Sequence, residues 1–171
     1  GAMTSYSSYN KTPWYSYRSE ITKIIFEEGI TSIGSNAFNF SWISNSSLKG
    51  DLIIPDSVTT IEKYAFAYNA KFDGKLILSN NLVTIHEYAF YNCSGVATLV
   101  IGSGVTSIGS QAFYSTTSLQ TLTFNAVQCA DIVRSDRVFG NVGTSGDGVD
   151  VIFGAGVKSI PTNLFYAYNT N

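Results

Sequence analysis

Leu99-Val100-Ile101-Gly102-Ser103-Gly104-Val105-Thr106-Ser107-Ile108-Gly109-Ser110-Gln111-Ala112-Phe113 is the stretch whose reading decides the fold. It opens on a short β-branched run, passes through a glycine-rich corner, continues as Val-Thr-Ser-Ile and ends on Ala-Phe. The same order returns in both directions along the chain. Ile30-Thr-Ser-Ile33 leads to Ala37-Phe38, Val58-Thr-Thr-Ile61 to Ala65-Phe66, Leu82-Val-Thr-Ile85 to Ala89-Phe90, and Val157-Lys-Ser-Ile160 to Leu164-Phe165. A degenerate copy ends at Val138-Phe139. Phenylalanines 38, 66, 90, 113, 139 and 165 are therefore 28, 24, 23, 26 and 26 residues apart, a period that marks a solenoid of about six coils.

Ahead of each segment stands a run that reads as a short strand: Ile24–Phe26, Leu52–Ile54, Leu76–Leu78, Leu99–Ile101, Leu122–Phe124 and Val151–Phe153. Side chains alternate along a strand, so the first and third residues of each run face the core and the middle one faces out. Successive runs are a whole coil apart and must pair in parallel, which predicts a parallel sheet of about six short strands. The Val-Thr-x-Ile pieces are expected as second, shorter extended segments, and the residues down to Ala-Phe as one tight helical or 3-10 turn. A single coil loses more conformational entropy than its few apolar groups return, so the coils are expected to fold as one array.

The combination of Leu99-Val-Ile101, Gly104-Val105-Thr-Ser-Ile108-Gly109 and Ala112-Phe113 resembles the BspA-type leucine-rich repeat, a family found in surface proteins of gut and oral bacteria, spirochaetes and some parasitic protists. Leu52-Ile-Ile-Pro55-Asp-Ser-Val58-Thr and Ala89-Phe90-Tyr-Asn-Cys93 carry the same likeness, which covers roughly Trp14 to Asn171. It implies a right-handed leucine-rich-repeat coil and a secreted or surface-attached, non-catalytic role in adhesion or protein binding. Residues 1–20 are then an N-terminal lead-in and cap, and 21–171 the repeat domain, with the fifth coil irregular at 125–148. Pro13-Trp14-Tyr-Ser-Tyr17-Arg18 resembles the segment that precedes a first repeat, and Gly1-Ala2-Met3-Thr4, whose first three residues are either native or a cloning scar, the end of an element before it. Without an initiator methionine, residues upstream are expected.

Composition narrows the function. The 171 residues are 44% hydrophobic and only 13% charged, with a net charge of -2, so no basic footprint for nucleic acid or an anionic membrane is present. No apolar run approaches the roughly 18 to 20 residues that cross a bilayer, and direct membrane insertion is not expected. Cys93 and Cys129 have no CxxC or Cys/His spacing, which points to two small buried, reduced thiols rather than a metal site or disulfide framework. The one histidine, His86, is replaced by Gly34, Glu62, Gly109 and Pro161 in the other coils, as an undemanding surface position would be. Carboxylates at 56, 62, 73 and 87 are scattered over different coils, with no spacing for acid/base work. Neither an enzyme nor a cofactor is expected.

Two surfaces remain as candidates. Ile25, Ile53, Ile77, Val100, Thr123 and Ile152 would form one outward row on the sheet, flanked by Lys23, Asp51, Lys75, Thr98, Thr121 and Asp150. Such a row either stabilises the sheet through cross-strand pairs or marks a protein partner site. Tyr64, Tyr68, Tyr88, Tyr91, Tyr114 and Tyr166 line the turn side, where tyrosine offers rigid contact area and a stacking surface for sugars. The readings are protein binding, with a host extracellular or surface protein as partner, a carbohydrate-binding module, or a passive spacer. Asn69, Asn92, Asn141 and Asn169 follow the phenylalanines and are expected as a buried ladder capping free backbone groups.

Overall fold

A computed structural model describes residues 1–40 and 47–166. The Val-Thr-x-Ile segments become β1 (Ser32–Ile33), β3 (Thr60–Ile61), β5 (Thr84–Ile85) and β7 (Ser107–Ile108). The β-branched runs become β2 (Leu52–Ile53), β4 (Lys75–Ile77), β6 (Thr98–Ile101), β8 (Thr121–Phe124) and β9 (Asp150–Phe153). They form two parallel sheets, one in the order β1-β3-β5-β7 and one in the order β2-β4-β6-β8-β9. The molecule is a β-solenoid, as the spacing predicts.

Register follows the repeat. Leu52 lies beside Leu76, then Leu99, Leu122 and Val151, while Ile33, Ile61, Ile85 and Ile108 line up in the second sheet. The alternation is as expected: in the coil of β6 and β7, Leu99, Ile101, Val105, Ile108, Ala112 and Phe113 are all buried. The phenylalanines stack as a spine along the array axis. Ring centroids from Phe38 to Phe66, Phe90, Phe113, Phe139 and Phe165 are separated by 5.4, 5.2, 5.4, 5.2 and 5.6 Å. Trp14 closes the N-terminal end by stacking on Phe38 at 5.3 Å, while its indole N–H donates to the Ala37 carbonyl at 2.7 Å.

Three features depart from the sequence reading. Ile24–Phe26 does not join the larger sheet, which has five strands among the described residues rather than six. The spacing from Phe38 to Phe66 is the longest in the chain, and this first run meets β2 with no ladder bonds. The first coil is tied instead by Lys49 N–H to the Thr22 carbonyl and by the Glu28 carboxylate, which accepts from the Asp56 and Ser57 amides. Val151, expected to face the core, is partly exposed because no further coil covers it among the described residues.

The third departure is the segment ending on Ala-Phe, a pair of successive turns pivoting on a left-handed residue. Asn36, Tyr64, Tyr88, Gln111, Arg137 and Asn163, each two places before a spine phenylalanine, have φ between 46° and 58°. This conformation directs the pivot's N–H out of its own coil. Asn36, Tyr64, Tyr88 and Gln111 donate to the carbonyls of Lys63, Glu87, Ser110 and Asp136 in the next coil. The 3-10 turns occur elsewhere, at Tyr9–Lys11, Tyr15–Tyr17 and Arg134–Asp136, the last in the irregular fifth coil.

Candidate functional site

The larger sheet brings most of its outward residues into one line. Ile53 stands beside Ile77, Val100, Thr123 and Ile152 in successive strands, so these five form a single in-register row. Ile53 and Ile152 at its ends are 57% and 51% exposed, and the three between them are half-buried by their neighbours. Ile25 is 72% exposed and sits off the ladder. With Ile53, Pro55, Lys23, Lys49 and Asp51 it lines an open cleft at the first coil.

Rim residues have mixed roles. Lys75, Thr98, Thr121 and Asp150 form the adjoining row in register. The Asp51 carboxylate accepts the Lys75 backbone N–H at 2.8 Å, so it helps hold the second coil to the third. Asp73 does the same for the Gly50 N–H at 2.9 Å, and that hydrogen bond lowers its carboxyl pKa. Carboxylates along this edge thus replace ladder bonds where the strands end.

On the turn side the tyrosines divide between two stacks. Tyr64 and Tyr88 are parallel at 4.8 Å, and Tyr91 and Tyr114 at 5.5 Å, with Tyr88 edge-on to Tyr91 and Tyr68 edge-on to Tyr91. The Lys63 ammonium lies over the Tyr64 and Tyr88 rings and is ion-paired with Glu87, which raises its pKa. Burial raises the phenol pKa of Tyr64 and Tyr68. Tyr166 stands apart in the last coil, with the Arg134 guanidinium 4.3 Å over its ring. The coil between Tyr114 and Tyr166 carries Gly140 in the ring-bearing place, and a Cβ there would lie 2.6 Å from the Tyr114 ring. Glycine at that place lets Tyr114 lie flat against the next coil.

The asparagines do not form the expected ladder. Asn92 and Asn141 are left-handed residues of the turn, Asn169 lies outside the described residues, and only Asn69 is buried. Its amide donates to the Phe38 and Phe66 carbonyls at 2.8 and 2.7 Å. Cys93 and Thr116 take the same place in the next two coils, bonding the Phe66 and Phe113 carbonyls. The capping position is real, but three different residue types fill it. Asn36, Asn92, Asn141 and Asn163, each two places from a spine phenylalanine, signalled backbone handedness, because asparagine tolerates the left-handed region better than most residues.

Cys93 is buried and Cys129 only partly so, and neither is disulfide-bonded. Burial pushes Cys93 up to about 12 and Cys129 up to about 11, far from a reactive thiolate. His86 is half-exposed, with its Nε2 3.7 Å from Glu62. Among the described residues no group of three metal-ligating side chains comes together, and no helix is long and apolar enough to cross a membrane.

Stacked coils, parallel sheets and an aromatic spine define a leucine-rich-repeat solenoid. The chain matches the family described as "BspA type Leucine rich repeat region" in six copies, over residues 13–142 and 44–171, and belongs to that family. A leucine-rich repeat protein from Eubacterium ventriosum ATCC 27560, known from a crystal structure, superposes with a TM-score of 0.61 at 22% identity. That likeness shows the fold. It covers 91% of this chain and 38% of the other, so the chain spans well under half of that protein's length. No curated protein matches the chain. Leucine-rich-repeat domains are typically non-catalytic and commonly bind proteins, and this family is generally associated with bacterial surface proteins.

Proposed function

We propose that this domain is a non-catalytic adhesion module that engages a host or neighbouring-cell protein through the outward row of its larger sheet, at the cell surface or after secretion. The carrying observation is the in-register line Ile53, Ile77, Val100, Thr123 and Ile152, ending at the exposed cleft beside Ile25. Contiguous apolar surface bordered by Lys23, Asp51 and Lys75 has the anatomy of a protein-protein contact, with an apolar centre and a polar rim. Membership of a protein-binding repeat family supports the same reading.

The test is retention of purified host extracellular-matrix proteins on the immobilised domain. The wild type is compared with an Ile53→Lys/Val100→Lys variant that keeps the wild-type unfolding midpoint. Retention by the wild type and its loss in the variant is the expected result. Equal retention by both would remove the sheet row from the site.

A further inference from the structure

The tyrosine stack on the turn side ends one rung short. Tyr64 and Tyr88 occupy the left-handed place two residues before the spine phenylalanine, with φ of 57° and 58° and rings 4.8 Å apart. The same place in the first coil is Asn36, φ 55°. Its short amide is also held away from the stack: Nδ2 donates to the Tyr6 carbonyl, and Oδ1 accepts from Asn39, each at 2.9 Å. Tyr64 borders a pocket between the first two coils and the N-terminal segment, whose lining includes Ser7, Tyr9, Asn36, Lys63 and Tyr68.

We propose that this vacancy is a carbohydrate site that takes the place of the missing ring with a neutral pyranose. A pyranose has an apolar face of polarised C–H groups that suits the negative face of an aromatic ring, and a rim of hydroxyls that need partners. The pocket supplies both. Tyr64 is the platform, and Ser7 and Ser35 bring hydroxyls to the same lining. Lys63 is already neutralised by Glu87, so the chemistry favours an uncharged ligand over an anionic one. No aliphatic side chain lines the pocket, which disfavours an apolar side chain from a protein partner. The Tyr64 phenol, with its pKa raised by burial, is a hydrogen-bond donor. This site lies on the turn side rather than the open sheet, and it stands or falls independently of the adhesion reading.

The experiment uses saturation-transfer NMR and titration calorimetry with methyl glycosides of glucose, galactose, mannose and N-acetylglucosamine. At least one is expected to bind saturably, with transfer strongest to the C–H protons of one ring face. Two variants probe the site, and both exchange residues that other coils already carry at this left-handed place: Asn36→Tyr fills the rung, and Tyr64→Asn removes the platform. Each should weaken binding about tenfold or more, equivalent to about 1.4 kcal/mol. Tyr114→Ala, at the far end of the second stack, should leave affinity within about twofold. Binding of no glycoside, or binding that persists in both variants, overturns the proposal. So does Tyr64-dependent binding of N-acetyl-tyrosinamide in the absence of any glycoside binding, which would assign the vacancy to an aromatic side chain.

Discussion

Phe90 is the middle of the spine, with Phe66 and Phe113 stacked on its two faces at 5.2 and 5.4 Å and no exposed surface. Truncation leaves a cavity that rigid neighbours on both sides cannot close, so Phe90→Ala should cost about 3 to 5 kcal/mol. Ile77 is bounded by Ile53 and Val100 on the open face, and Ile77→Ala should cost under about 1 kcal/mol. Urea unfolding separates the two, and an equal loss would place the outward row in the core. The thiols add a pH dependence. Folded Cys93 titrates near 12 against an ordinary value of 9.0, because burial favours its neutral form. That stabilisation is complete below about pH 9 and is lost as the pH rises toward 12, where the unfolded chain's thiol ionises first. The urea midpoint should fall above pH 9 more steeply in the wild type than in Cys93→Ala. Two thiols should titrate per chain in denaturant without reductant, and Cys93 should be silent in the native state.

At the scale of the element, each turn trades backbone strain for bonds to the next coil. A non-glycine residue in the left-handed region costs of order 1 kcal/mol or more, and the cost is higher for a β-branched one. Tyr88 illustrates the balance: its N–H reaches the Ser110 carbonyl at 3.0 Å only because φ is positive. Tyr88→Val should therefore lower stability by about 2 kcal/mol more than Tyr88→Asn, which gives up the same ring contacts, as read by urea titration. A midpoint insensitive to valine would mean the pivot is not strained. This is also where the sequence was hardest to read. Spacing and alternation revealed the coils, the spine and the inward leucines and isoleucines, because burial acts on residue type at fixed positions. Handedness at the pivot is tolerated by tyrosine, glutamine and arginine alike, so composition carried only the recurrent asparagine as a sign of it. The detachment of Ile24–Phe26 left no local signal, since its residues suit a strand and only the lengthened path to β2 removes its partner. The vacancy beside Tyr64 depends on comparing one place across coils, with Asn36 against Tyr64 and Tyr88, and on the N-terminal segment folding back to wall it.

Across the whole molecule the two ends are unequal. At the first coil Trp14 covers Phe38, and the chain start extends the smaller sheet: Ala2 bridges to Ser32, and Met3 donates to the Ser32 carbonyl at 3.0 Å. At the other end Phe165 is 43% exposed and tilted 39° from Phe139, and Ile160 is 54% exposed. Among the described residues the irregular fifth coil supplies no strand beside β7, so the last coil has no place in the smaller sheet and is tied there by a local cluster: Ile132 N–H to the Thr162 carbonyl, Thr162 N–H to the Asp131 carboxylate and the Asn163 amide to the Ile132 carbonyl. A linear array with nearest-neighbour coupling opens from its weaker end, because an end coil loses one interface and an inner coil loses two. Native-state hydrogen exchange should therefore show Ile132 and Leu164 amides exchanging through local opening that is insensitive to low urea. Phe66, Phe90 and the β4 to β6 amides should exchange only through global unfolding. Phe165→Ala should speed exchange in the last coil while leaving that of Phe90 unchanged, and its stability cost should be well below that of Phe90→Ala. Trp14→Ala should instead expose Phe38 and loosen the first coil, so that fraying begins at both ends. Uniform protection from Phe38 to Leu164 in the wild type would show that the coils unfold as one block and that the last described coil carries no weakness of its own.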